Sequence, residues 1–192
     1  MYEVEVKLRA DHETVRARLD EAGADREVRT TQVDTYYGAP HRDFAETDEA
    51  LRIRRETRID DEETPDGGGG DEEGETTKVT YKGPLVDEAS KTRNEHETTV
   101  GDGESAEGIL SGLGFEPVET VEKEREFFAL DGYTVTLDAV AGLGEFVEVE
   151  TEAESESDVD PAREGAFEVL RRLGLDPDEQ IRTSYLALLL AA

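Results

Sequence analysis

Cysteine and tryptophan are absent, and methionine occurs once in 192 residues. Without cysteine there are no disulfides, no thiolate zinc site and no thiol nucleophile. No stretch approaches the ~20 consecutive apolar residues of a membrane-spanning helix; the longest apolar run, Tyr185 to Ala192, sits at the C-terminus. The opening residues enter a charged strand without the basic and apolar regions of a signal peptide, so the sequence predicts a soluble, cytoplasmic protein. Basic residues are also scarce: 21 Lys plus Arg stand against 50 Asp plus Glu, a formal charge of −29. An acidic surface of that density excludes a nucleic-acid partner, which requires a basic footprint. It suits a high-salt, halophilic cytoplasm, where a Debye length of ~3 Å at 1 M salt screens self-repulsion. Only five of the basic residues are lysines, Lys7, Lys78, Lys82, Lys91 and Lys123.

What is present is alternation. In Glu3-Val4-Glu5-Val6-Lys7-Leu8 the period of two puts Glu3, Glu5 and Lys7 on one face of a strand and the apolar residues on the other. Further strands are predicted from Arg26 to Gly38, Ala50 to Arg58, Thr77 to Lys82 and Lys91 to Val100, around Lys123 and Arg125, and in a hairpin of Tyr133–Asp138 with Phe146–Glu150. In each, charged or polar residues share a face: Arg52 with Arg54; Lys78 with Lys82; Lys91, Arg93, Glu95 and Glu97; Lys123 with Arg125; Asp138; Glu148 with Glu150.

Between strands, Asp11 caps a helix that Gly23 stops, and a short helix runs from Glu104 to Leu113. Two helices close the chain, each expected to open on an Asp-Pro pair, Asp160-Pro161 and Asp176-Pro177. Residues Asp60 to Glu75 are acidic and glycine-rich without apolar period and predict a disordered insertion. Its Gly67–Gly70 run is not a phosphate loop, since no Gly-Lys-Ser/Thr or helix follows.

The fold expected is α+β, one domain over residues 1–192: a closed eight-stranded antiparallel β-barrel with helices packed outside on the apolar faces. Closure removes the strand edges and turns the charged faces inward. Lys7, Arg52, Arg54, Lys78, Lys82, Lys91, Arg93, Lys123 and Arg125 then line one cavity with Glu3, Glu5, Asp138, Glu148 and Glu150. So many buried charges need compensating ligands. A polyanion on the cations and a hard divalent ion, Mg²⁺ or Mn²⁺, on the carboxylates would supply them. The competing expectation is an ordinary sheet with the charges in water.

Glu-x-Glu-x-Lys in the first strand, Leu51-Arg52-Ile53-Arg54, Tyr81-Lys82-Gly83-Pro84, Lys91-x-Arg93-x-Glu95, Lys123-x-Arg125, Leu137-Asp138, Leu143-Gly144-x-Phe146-x-Glu148-x-Glu150 and Ser184-Tyr185 occur in this order along nearly the whole chain. The set resembles the CYTH superfamily, the triphosphate tunnel metalloenzymes, and looks closest to their class IV adenylyl cyclase branch, beside thiamine, inorganic and RNA triphosphatases. The resemblance implies an enzyme that holds a nucleoside or inorganic triphosphate in the barrel, with Mg²⁺ or Mn²⁺ on Glu3, Glu5, Glu148 and Glu150. Phosphate oxygens would fall to Lys7, Arg52, Arg54, Lys82, Lys91, Arg93, Lys123 and Arg125, and catalysis to Asp138, Lys123 and Arg125.

The cyclase branch further implies conversion of ATP to cyclic AMP and pyrophosphate, and a homodimer. The acidic insertion departs from compact members, and the C-terminal helix lacks the lysine that triphosphatases carry there, offering only Arg182. The alternatives are a triphosphatase and, from another class, a module that binds polyphosphate or nucleotide without turnover. Tyr36, Tyr37, His41 and Phe146 are the candidates for a base and ribose pocket. His12 and His96 have no ligand-spaced partner and receive no role.

Overall fold

The period-two alternation resolves into one closed wall. The computed structural model describes residues 2–59, 74–87 and 92–192. Strands β1 (Tyr2–Arg9), β2 (Asp25–Gly38), β3 (Ala50–Ile59), β4 (Thr76–Asp87), β5 (Thr92–Val100), β6 (Glu116–Leu130), β7 (Tyr133–Val140) and β8 (Gly144–Ala153) form a barrel in the order β1-β5-β4-β3-β2-β6-β7-β8. Every pairing is antiparallel. The acidic stretch at residues 60–73 and Lys91 lie outside the described residues.

Helices α1 (His12–Ala22) and α3 (Glu156–Arg172) cover the outer face of β1, β6, β7 and β8. There Val6, Leu8, Val135, Leu137, Val147 and Val149 pack against Val15, Leu19, Ala166, Val169 and Leu170. Fully burying each such side chain stabilises by about 1.5–3 kcal/mol, which fixes which face of these strands turns outward. A smaller cluster of Tyr37, Leu51 and Ile53 packs on Ala106 and Leu110 of α2 (Gly103–Gly112). Asp11 caps α1, and Gly23 ends it at φ 74°, a conformation in which a side chain would be strained.

The C-terminal helices begin elsewhere than the Asp-Pro pairs predict. Helix α3 starts at Glu156, where Ser155 and Asp158 form a reciprocal capping box, so Pro161 lies inside the helix. The box satisfies two backbone donors, against the one helix bond that Pro161 removes. Asp176-Pro177 caps only a 3₁₀ turn, Pro177–Glu179. The Ile181 N–H then bonds Lys7 O at 2.7 Å, which ties the chain to β1 before Ser184 caps α4 (Tyr185–Leu190).

Helix α4 packs on Val121, Val140 and Phe146, which share strand faces with Lys123, Asp138 and Glu148, and so lies across one end of the barrel. Among the described residues no helix is long and apolar enough to cross a membrane.

Candidate active site

The inward faces enclose a cavity of about 280 Å³ inside the barrel. Of the residues expected there, Glu3, Glu5, Lys7, Arg52, Arg54, Lys78, Lys82, Arg93, Lys123, Arg125, Glu148 and Glu150 all line it. Strand register brings them together: Glu3 stands opposite Arg93, Glu5 opposite Glu150 and Lys7 opposite Glu148. The sheet with its charges in water is therefore excluded. Ser184, Tyr185 and Leu186 of the α4 segment complete the lining at one end.

Asp138 is brought to the same place but is fully buried, behind the cations. Arg125 Nε donates to Asp138 Oδ1 at 2.5 Å, and a second guanidinium nitrogen donates to Oδ2. The Tyr185 hydroxyl donates to Oδ2 at 3.0 Å, and Lys123 Nζ lies 3.7 Å from it. The same guanidinium of Arg125 reaches Glu148. Asp138 therefore holds Arg125 in place.

Across the barrel Asp34 plays the same part: Arg54 grips it with two nitrogens at 2.6 and 2.7 Å, and Arg52 Nη1 lies at 3.3 Å. Asp34 was not singled out in the sequence, although Thr30, Gln32 and Asp34 alternate along β2; three polar residues of which only one is ionised do not mark a face. Glu95, Glu97, Glu56 and Gln32 also line the cavity. Glu95 and Glu97 do share the face of Arg93, and that signal was legible. Lys82 Nζ bridges Glu3 and Glu95 at 2.7 Å each, and Lys78 lies between Glu56 at 3.4 Å and Glu97 at 3.6 Å. Arg93 bonds the Asp48 carboxylate at 2.6 Å, in the β2–β3 connection.

Protonation follows from this crowding. Burial pushes the Asp34 carboxyl up, but the Arg52 and Arg54 guanidiniums outweigh it and hold it well below the usual range. Glu148 likewise stays low because Arg125, Lys7 and Lys123 outweigh its burial. Glu150 goes the other way: burial, and the carboxylates of Glu3, Glu148 and Glu5 against the pull of Arg125, push it up to about 7. Lys123 is depressed to about 8 by burial and by Arg125 and Arg54, with Asp138 opposing. Glu150 thus sits in a region of clustered carboxylates, and Lys123 in one where guanidiniums and carboxylates meet.

A hard divalent ion suits the first of these regions in donor chemistry: Glu3, Glu5, Glu148 and Glu150 are all carboxylates, and Glu150 is raised by burial and by its acidic neighbours. Among the described residues, no three acidic or imidazole side chains already converge in ligand geometry. Glu3 leans on Lys82, and Glu148 on Arg125 and Lys7.

The aromatic candidates separate. Tyr36 lines the cavity. Tyr37 and Phe146 are buried packing residues, and exposed His41 stacks edge-on with Phe115 outside. His12 is buried against Phe146 O at 3.0 Å, and His96 is exposed, so neither histidine enters the cavity. Arg182 precedes α4 rather than lying in it.

This arrangement has relatives. A protein from Methanocaldococcus jannaschii, provisionally named an adenylate cyclase, is 37% identical over 189 residues, 98% of each chain. A solved structure from Pyrococcus horikoshii matches at 37% identity with a TM-score of 0.86 over 98% of each chain. A Hippeastrum protein, provisionally an adenylyl cyclase and described as having a dominant triphosphatase activity, matches with a TM-score of 0.63 over 99% of this chain and 95% of its own; at 15% identity it shows the fold alone. A CYTH domain spans residues 1–185, taking in all eight strands and the lining up to Tyr185, and this chain belongs to that family.

Proposed function

We propose that the barrel binds a nucleoside triphosphate together with Mg²⁺ or Mn²⁺ and converts ATP to cyclic AMP and pyrophosphate. The observation that carries the reading is one cavity inside the barrel with Lys7, Arg52, Arg54, Lys82, Arg93, Lys123 and Arg125 facing Glu3, Glu5, Glu148 and Glu150. Lys91 belongs with the phosphate ligands by its place in the motif. A module that only holds polyphosphate needs the cations alone, whereas the carboxylates give a divalent ion a place against the substrate. The name of the Methanocaldococcus relative supports the choice of cyclase.

In this reading Glu3, Glu5, Glu148 and Glu150 hold the ion, which when bound neutralises phosphate charge as a Lewis acid. The arginines and lysines of β3, β4, β5 and β6 orient the triphosphate and place fixed positive charge where negative charge develops. Lys123 and Arg125 act at the reacting phosphorus, and Asp138 keeps both in position. The ribose 3′-oxygen forms a bond to the α-phosphorus, the bond from that phosphorus to the bridging oxygen breaks, and pyrophosphate leaves in line. Protons and charge balance with the hydroxyl proton passing to pyrophosphate or solvent.

A second reading, hydrolysis of the terminal phosphate, is favoured by one observation: of four ring residues named for a base pocket, Tyr36 alone lines the cavity. The Hippeastrum protein described as a triphosphatase shares the fold.

Incubation with Mn²⁺ and either ATP or tripolyphosphate in molar KCl, followed by chromatography, separates the two. Cyclic AMP with pyrophosphate is expected. Orthophosphate from both substrates without a cyclic product overturns the cyclase in favour of the triphosphatase, and binding without any product leaves the module.

A further inference from the structure

Two of the cavity's lysines are held differently from Lys82. Lys82 spends its donors on Glu3 and Glu95 at 2.7 Å. Lys7 stands 3.7 Å from Glu5 and 3.8 Å from Glu148, and Lys123 stands 3.7 Å from Asp138, all beyond a good hydrogen bond. Both have side chains only 3% exposed. What lies close to each ammonium is one aromatic ring: Lys7 Nζ is 4.3 Å and Lys123 Nζ 5.3 Å from the centroid of Tyr185.

An ammonium within about 6 Å of a ring face is attracted by the ring quadrupole, most strongly where water is excluded. That attraction is electrostatic and uses no N–H, so the three donors of each ammonium stay available. The ring itself is fixed. Its hydroxyl donates to Asp138 at 3.0 Å, its edge meets Phe146 at 4.9 Å between centroids and 66° between planes, and Ser184 caps the helix it begins.

We propose that Tyr185 is a positioning residue whose ring holds the Lys7 and Lys123 ammonium groups in place while leaving their donors free for the oxygens of an incoming polyphosphate. The proposal rests on the triphosphate reading of the cavity. It gives α4 a task beyond closing the barrel end: the helix delivers a surface that both ammonium groups meet where, among the described residues, no carboxylate bonds them closely. A carboxylate in that place would spend the donors, as Glu3 and Glu95 do on Lys82.

The test is calorimetric binding of tripolyphosphate and of ATP, with Mg²⁺ in molar KCl, to the wild-type chain, Tyr185→Phe, Tyr185→Leu and a series carrying mono-, di- and trifluorinated phenylalanine at position 185. Fluorination drains the ring face without changing its packing, and thermal unfolding of each variant checks that the barrel is intact. With Tyr185→Phe as reference, Kd is expected to rise with each added fluorine, to about tenfold for the trifluoro ring, and Tyr185→Leu to weaken binding at least as far. A Kd flat across the fluorinated series, or equal in Tyr185→Phe and Tyr185→Leu, overturns the role of the ring while the cavity still binds. A wild-type chain that takes up neither anion overturns the triphosphate reading, a result visible before any variant is compared.

Discussion

Arg125 and Asp138 meet side-on across β6 and β7, two guanidinium nitrogens on two carboxylate oxygens, with Asp138 wholly buried behind the cavity wall. A bidentate pair fixes the plane of the guanidinium as well as its position. Arg125 therefore presents its remaining edge to Glu148 and the cavity, and the anion that aligns it is itself out of reach of any ligand.

Removing that anion strands a buried cation. Asp138→Asn is expected to cost about 3 kcal/mol of stability, the scale for breaking one side of a buried pair, and to lower turnover because Arg125 and Lys123 lose their alignment. Denaturant unfolding in molar KCl measures the first and an initial-rate assay the second. Wild-type values for both would show that Asp138 neither supports the wall nor orients the cations.

Turnover is expected to require Mg²⁺ or Mn²⁺ and to disappear in the double variant Glu3→Gln/Glu5→Gln while the barrel persists. Circular dichroism reports the fold, and product formation with and without chelator reports the requirement. Full activity in excess chelator would remove the carboxylates from the chemistry.

Lys123 makes stability depend on pH with a definite sign. Its folded value, about 8, lies below the unfolded value of 10.5, so between the two the unfolded chain binds more protons. Stability from this group therefore rises as pH climbs from about 8 toward 10.5, and the charged lysine is a burden below that window. Unfolding of wild type and Lys123→Gln compared from pH 7 to 10 isolates the term, with the wild type gaining relative to the variant as pH rises. Tripolyphosphate should reverse the trend by favouring the charged form. Parallel curves without ligand would refute the assignment.

With −29 formal charges, the chain is expected to lose stability at low ionic strength and regain it in molar KCl. Thermal melts followed by circular dichroism from 0.1 M to 3 M KCl provide the check. A melting temperature independent of salt would separate the acidity from any need for screening.

Much of the site was legible in one dimension because side-chain alternation is a local property of a strand. Once Glu3, Glu5 and Lys7 share a face, closure of the barrel sends that face and those of Arg52, Lys82, Arg93, Lys123 and Glu148 to one cavity. The short-range caps were less secure. Asp160-Pro161 is a good helix opening in isolation, and it lost to Ser155 because the capping box that begins five residues earlier satisfies more of the backbone.

The amino-acid sequence by itself determined the barrel, the inward charges and the family motifs, since each depends on periodicity and order along the chain. Tertiary structure alone decided which charges face a ligand and which face each other. Asp34 and Asp138 lie on the same faces as the cations, yet register sets them against Arg54 and Arg125 and buries them. Phe146 shares a face with Glu148 but packs under α4, and Tyr185 reaches Lys7 and Lys123 from a helix over a hundred and seventy residues after Lys7 and sixty after Lys123. Such contacts arise from how α4 docks on the barrel end, a long-range packing event that no local period encodes.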